Sequence, residues 1–293
     1  MKKVWFITGS SKGLGRALAE EVLKNGDQLV ATARNPGQLA DLAKSYGGQV
    51  LTIALDVSNK DQVREAVQSA MNQFGRIDVL VNNAGFGITG AAEAYTDEQV
   101  KGQLDVNLYA PIDITRAVLP IMRKQRSGRI LQVSSVGGRV GNAGVSIYQA
   151  AKFGLSGFSE ALRKEVASLG IWVTAVEPGG FRTDWGGASM SYAPEVEGYE
   201  TSVGAMRSYM KSDGYQPMGD PAKAARVMYE LANHSAPPSH LLLGSEALAM
   251  TRHADLLRKA EMDQWEEVSI STNHDDAADF LQTEAGKRFL GKI

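Results

Sequence analysis

The stretch that decides the fold is Val4-Trp5-Phe6-Ile7-Thr8-Gly9-Ser10-Ser11-Lys12-Gly13-Leu14-Gly15. An apolar run meets a glycine-rich loop, and an amphipathic segment follows. Leu14, Ala17, Leu18, Val22 and Leu23 form one stripe of that segment, which stops at Asn25-Gly26. Strand, glycine loop and helix in this order make an anion cradle. Glycine lets the backbone approach a pyrophosphate, and a helix N-terminus offers free N–H groups and partial positive charge. The spacing is Gly-x3-Gly-x-Gly, distinct from Gly-x-Gly-x-x-Gly, and no Walker loop is present.

Outward from this start, short apolar runs alternate with helical patterns. Strands are predicted at Val4–Thr8, Gln28–Ala33, Val50–Leu55, Val79–Asn82, Arg129–Ser134, Trp172–Val176 and His240–Leu243. Most are continuous rather than alternating, as strands buried on both faces of a parallel sheet read. Helices are predicted at Leu14–Asn25, Lys60–Phe74, Thr96–Gln125, Val145–Leu169, Pro221–Asn233 and Leu248–Trp265. The pattern predicts an α/β fold: a doubly wound parallel sheet of about seven strands, Rossmann type. One domain over residues 1–245 is expected, with a C-terminal extension over 246–293 packed on it. Phe181–Gly219 reads as a long irregular insertion rich in Tyr and Met, a lid or binding loop. Asp275–Ile293 reads as a polar tail with a Phe280/Leu281 patch.

Composition narrows the function classes. The 293 residues carry a net charge of −2 with no long basic stretch, which argues against nucleic acid and anionic membrane. There is no cysteine, so disulfides, thiolate catalysis and cysteine-ligated zinc are excluded. That fits a reducing, cytoplasmic setting. The first apolar run is too short for a signal core, and no run approaches a membrane span. The four histidines lack tight metal spacing, so no metal is expected. No Gly-x-Ser-x-Gly elbow supports serine hydrolysis.

A second constellation lies in Tyr148-Gln149-Ala150-Ala151-Lys152. Residues four apart on a helix share a face, so the phenol neighbours the ammonium. An ammonium about 4 Å away contributes at most a few kcal/mol at an effective dielectric of about 20. The phenol pKa would then fall by roughly two or three units before desolvation opposes it. Such a phenol can protonate a carbonyl oxygen in reduction and act as base in oxidation. Ser135 lies 13 residues before Tyr148 and would stabilise charge on the substrate oxygen. Ser134 is the competing choice.

These motifs together resemble the short-chain dehydrogenase/reductase family. The resemblance is carried by the Gly9–Gly15 loop, Asn82-Asn83-Ala84-Gly85, Ser135, Tyr148-x3-Lys152 and Pro178-Gly179, in order across about residues 3–245. The branch most similar is that of 17β-hydroxysteroid dehydrogenase-like carbonyl reductases, without a steroid substrate being inferred. The resemblance implies NAD(P)(H), a homodimer or homotetramer, and a set of site roles. Gly9, Ser11, Lys12, Gly13, Leu14 and Gly15 would cradle the phosphates. Asp56 and Val57 would lie at the adenine, and Asn83, Ala84 and Gly85 beside the adenosine ribose. Pro178, Gly179, Phe181 and Thr183 would lie at the nicotinamide, and Lys152 would hold its ribose. Asn107 would hold a water beside Lys152 and complete a proton relay.

Cofactor choice follows from charge. An acid closing the second strand would bind the ribose 2′-hydroxyl of NAD. That strand closes on Ala33-Arg34 instead, and Lys12 adds a second cation. NADP(H) is therefore expected over NAD(H). The substrate side is expected from Phe86-Gly87-Ile88, Val136–Val145 and Phe181–Met218, with Phe86, Ser135, Tyr148 and Trp185 in contact. Its apolar character suits a lipophilic ketone, aldehyde or secondary alcohol. The alternative from another class is a non-catalytic NADP(H)-binding sensor on the same fold. A sugar-nucleotide epimerase disagrees with the glycine spacing, and an enoyl reductase usually has a longer Tyr–Lys interval.

Overall fold

The computed structural model describes residues 2–183, 190–212 and 214–291. The chain divides into two compact units, Met1–Thr251 and Arg252–Ile293.

The first unit is built on seven parallel strands. In chain order, with two short strands included, they are β1 Val4–Ile7, β2 Gln28–Ala33, β3 Val50–Ala54, β4 Val79–Asn82, β5 Gly87–Thr89, β6 Gly128–Val133, β7 Ile171–Pro178, β8 Met190–Tyr192 and β9 His240–Leu243. The large sheet runs β3-β2-β1-β4-β6-β7-β9. The seven predicted strands are these seven, three with the same bounds and four with ends shifted by one or two residues. The helices are α1 Gly13–Lys24, α2 Ala40–Tyr46, α3 Lys60–Phe74, α4 Asp97–Leu104, α5 Ala110–Gln125, α6 Ser146–Val166, α7 Ala205–Lys211, α8 Pro221–Asn233 and α9 Ser245–Gln264.

Both faces of the sheet are covered, which is why its strands read as unbroken apolar runs. Trp5, Ile7, Leu29, Val79, Val81 and Leu131 point to one face and pack with Leu18 and Val22 of α1 and Met228 of α8. Val4, Phe6, Val30, Leu80, Ile130 and Val173 point to the other and pack with α3, α5 and α6. Each fully buried Leu, Ile or Val contributes about 1.5–3 kcal/mol, so odd and even positions of β1 both hold the fold.

Strand order reverses direction between β1 and β4, and their C-terminal ends open the crevice where such sheets bind ligands. Two departures from the sequence expectation shape this crevice. The expected helix over Thr96–Gln125 is interrupted by a π-helical turn, Asp105–Tyr109. Single π turns inside helices aim a side chain that regular geometry would not, and here the aimed residue is Asn107. The insertion is not irregular throughout. It forms β8, which pairs in parallel with β5, and the short helix α7. Its ends meet: Phe181 bridges Gly219, Arg182 N–H donates to Gly219 O at 3.0 Å, and Gly219 N–H donates to Gly180 O at 2.9 Å. The segment is thus an excursion closed at its base.

The second unit, Arg252–Ile293, carries the end of α9, α10 Glu266–Ile270 and α11 Glu284–Phe289. The expected polar tail is therefore partly helical. Thr283 caps α11 by accepting from Gly286 N at 3.0 Å, and the Phe280 and Phe289 rings meet edge to face at 6.2 Å. No helix among the described residues is long and apolar enough to cross a membrane.

Candidate active site

The glycine loop is held from the neighbouring strand. Thr8 Oγ1 accepts from the N–H groups of Asn83 and Ala84 at 2.9 and 3.0 Å. Asn83 Nδ2 donates back to Thr8 O at 2.9 Å and Gly9 O at 3.2 Å. The ends of β1 and β4 are thereby stitched together. Gly9 and Gly13 have φ of +68° and +60°, which disfavours a side chain at either. Lys12 occupies the N-cap of α1 and makes no side-chain cap. The first N–H groups of α1 stay available, which fits a phosphate-bearing group.

A cavity of about 960 Å³ runs from this loop across the ends of β4, β6 and β7 to the insertion. Gly9, Ser11, Lys12, Gly13 and Leu14 line one end with Arg34, Asp56 and Val57. Gly15 is buried behind the loop. A Cβ there would overlap Gly9 O and Asn83 Nδ2. Arg34 and Lys12 are exposed at the mouth, and Ala33 is buried. Asn83, Ala84, Gly85 and Phe86 line the middle, with Pro178, Gly179, Phe181 and Thr183 opposite. Trp185 lies outside the described residues.

Asn107, Ser135, Tyr148 and Lys152 all line the same cavity. Ser135 Oγ accepts from Gly137 N at 3.0 Å, and its side chain hydrogen-bonds Tyr148. Ser134 points elsewhere: its Oγ donates to Lys152 O at 3.1 Å and meets Ser156 Oγ at 2.9 Å. Lys152 Nζ donates to Val133 O at 2.8 Å and lies 5.7 Å from the Tyr148 ring centre. Asn107 Nδ2 donates to Phe86 O at 2.9 Å and Gln103 O at 3.1 Å. Its Oδ1 is buried without a protein partner. A Cβ on Gly85 would sit 2.6 Å from that oxygen and 3.8 Å from Lys152 Nζ. Glycine at 85 keeps open the space the amide and ammonium share. A buried orphan acceptor is costly unless a water or ligand reaches it.

The expected lowering of the Tyr148 pKa is corrected here. Burial pushes the phenol up to about 12, against the opposing hydrogen bond from Ser135. Burial also takes Lys152 down to about 8. Desolvation dominates the phenol, and the ammonium, itself stripped of water, lies 5.7 Å from the ring centre.

Beneath α6 lies a polar network. Ser156 Oγ donates to the fully buried Glu177 carboxylate at 3.2 Å, and His240 Nδ1 meets the same oxygen at 2.8 Å. Glu177 Oε2 faces Arg139 at 3.6 Å. With Ser134 it ties α6 to β6, β7 and β9. His240 is accounted for by this contact. Gln149 is a residue the sequence did not single out. Its Oε1 accepts from Asn142 N and its Nε2 donates to Val140 O, both at 2.8 Å, which fixes the loop over the cavity. Gln38, Glu246 and Met250 also line the cavity. None of these three belongs to a motif, so the sequence marks none of them.

A doubly wound sheet with a glycine loop at its switch point defines the nucleotide-binding α/β class. The model of the short chain dehydrogenase family matches residues 3–192. Oxidoreductase BOA17 of Botryotinia fuckeliana is 44% identical over 273 residues, 93% of this chain and 100% of that one. A short-chain dehydrogenase from Streptomyces avermitilis superposes with a TM-score of 0.87 at 39% identity, covering 93% of this chain and 98% of that one. A metagenomic short-chain oxidoreductase in complex with NADP superposes with a TM-score of 0.66 at 27% identity, covering 82% and 96%. The chain belongs to the short-chain dehydrogenase family of oxidoreductases.

Proposed function

We propose that this protein reduces a lipophilic carbonyl compound to a secondary or primary alcohol with NADPH, and runs the reverse oxidation with NADP. The observation that carries this reading is the convergence of Asn107, Ser135, Tyr148 and Lys152 on one cavity that continues to the glycine loop. A nicotinamide dinucleotide supplies the hydride when bound.

The chain's own residues handle binding, orientation and the proton. The N-terminus of α1 and the Gly9–Gly13 turn bind phosphate. Asp56 and Val57 take the adenine end, Asn83 to Gly85 the adenosine ribose, and Pro178, Gly179, Phe181 and Thr183 the nicotinamide. Ala33 leaves no acid to repel a 2′-phosphate, and Arg34 and Lys12 supply positive charge to hold one. That pair carries the NADP(H) preference.

Tyr148 gives its proton to the carbonyl oxygen, and Ser135 donates a hydrogen bond to the same oxygen. A phenol at about 12 is fully protonated at neutral pH, as an acid must be. Lys152 then returns positive charge beside the phenolate left behind. Asn107 Oδ1 supports a water next to Lys152, which replenishes the proton. Phe86 and the methionines of the insertion give the substrate an apolar wall.

A screen of diverse ketones and aldehydes, followed by loss of NADPH absorbance, tests the reading. Turnover of at least one lipophilic carbonyl compound is expected. Tight NADPH binding with no turnover across the set would instead favour a sensor on this fold.

A further inference from the structure

Part of the cavity wall is built by the insertion and by the start of α9. Met190, Met206, Tyr209, Met210, Tyr215 and Met250 line it. One carboxylate stands among them. Glu246, in the first turn of α9, lines the same cavity and accepts from Gly180 N–H at 3.4 Å. Its Oε2 and Tyr215 Oη converge: a Cβ on Gly180 would lie 3.2 Å from the first and 3.3 Å from the second. The Tyr215 ring packs edge to face on Tyr209, centres 5.7 Å apart. The Tyr215 hydroxyl is held above its ordinary pKa by burial and then by the Glu246 charge, which puts the phenol beside the carboxylate.

Charge along the cavity is divided. Of the charged residues described in its lining, Lys12, Arg34 and Asp56 belong to the nucleotide end and Lys152 to the catalytic group. Glu246 is the one formal charge described at the methionine–tyrosine end. A carboxylate beside two tyrosines in an apolar wall is the chemistry that recognises an ammonium ion, by charge and by cation–π contact. The same carboxylate repels an acid.

We propose that Glu246, with Tyr215 and Tyr209, sets substrate specificity, and that the preferred substrate is a lipophilic carbonyl compound bearing a protonated amine rather than a carboxylate. This rests on the cavity being the substrate site of the reductase proposed above.

The test separates recognition from chemistry. Binding of 4-phenylbutylammonium and of 4-phenylbutyrate to the NADPH-loaded protein is measured by calorimetry at pH 7. In wild type the ammonium is expected to bind about tenfold or more tighter than the acid, the factor that unit charges roughly 10 Å apart give at an effective dielectric near 20. In Glu246→Gln, which keeps an acceptor for Gly180 N–H, that ratio should fall to about threefold or less. Tyr215→Leu should weaken the ammonium and not the acid. Equal affinities in wild type, or a ratio unchanged in Glu246→Gln, overturns the proposal. Neither ligand carries a reducible carbonyl, so the outcome does not depend on turnover. Failure of the ketone screen with the binding ratios as expected would overturn the reductase reading and leave Glu246 as the ammonium-recognising group only.

Discussion

The Lys152 ammonium donates to the Val133 carbonyl oxygen across 2.8 Å. This bond ties the N-terminal third of α6 to the end of β6 and holds the charge inside the cavity. It also leaves the charge almost without water, and the pKa falls to about 8. A group that serves the site is thus a cost to the fold.

That cost is measurable in the cofactor-free protein. The unfolded chain holds Lys152 near 10.5. Between about pH 8 and 10.5 the unfolded state binds the extra proton, so this group's contribution to stability rises with pH across that window. Below about pH 8 both states are charged and the whole penalty is present, on the order of 3 kcal/mol for a shift of this size. Lys152→Met removes it, offset in part by the stranded Val133 carbonyl. The variant should melt at or above the wild-type temperature at pH 7, and the gap should narrow toward pH 10. Its turnover should drop by about 100-fold or more. Thermal melts from pH 7 to 10 check this; a variant several degrees less stable at pH 7 contradicts it.

Gly15 is predicted to tolerate no side chain. A Cβ would overlap Gly9 O and the Asn83 amide that stitches β1 to β4. Gly15→Ala must open the loop, so NADPH affinity should fall by roughly tenfold or more and stability by about 1–3 kcal/mol. Calorimetric binding and a melt report both. Wild-type affinity in this variant would mean the loop does not hold the cofactor.

Arg34 lies exposed at the cavity mouth beside the buried Ala33. Arg34→Asp replaces the cation proposed to hold a 2′-phosphate by an acid that repels one. The ratio of kcat/KM for NADPH to that for NADH should fall by about tenfold to a hundredfold, the range of a hydrogen bond to a charged group. A ratio unmoved by the exchange would remove Arg34 from the cofactor site.

Much of this molecule is legible in its sequence, for identifiable reasons. Strands such as Gln28–Ala33 and Val79–Asn82 are buried on both faces, so their composition announces them. Helix α3 begins at a capping Asn59 and ends at Gly75 in the left-handed region, and its boundaries read directly. Other features depend on partners far along the chain. Strand β5 is three residues long and pairs with β8 about a hundred residues later, so no local pattern marks either. The π turn at Asn107 leaves helical periodicity almost intact. The pKa of Tyr148 is not legible locally, because a sequence shows which charges are near but not how dry the site is. Glu246 belongs to no motif and gains meaning only beside Tyr215 and Gly180.

Proton transfer by Tyr148 is the step on which the proposed reduction depends. The direct measurement pairs kcat for carbonyl reduction with the Kd for NADPH, in wild type and in Tyr148→Phe. The ring still fills its place, so NADPH binding should be largely unchanged. The lost hydroxyl should abolish turnover, a fall of at least about 100-fold. Turnover retained in Tyr148→Phe with intact NADPH binding would contradict the account.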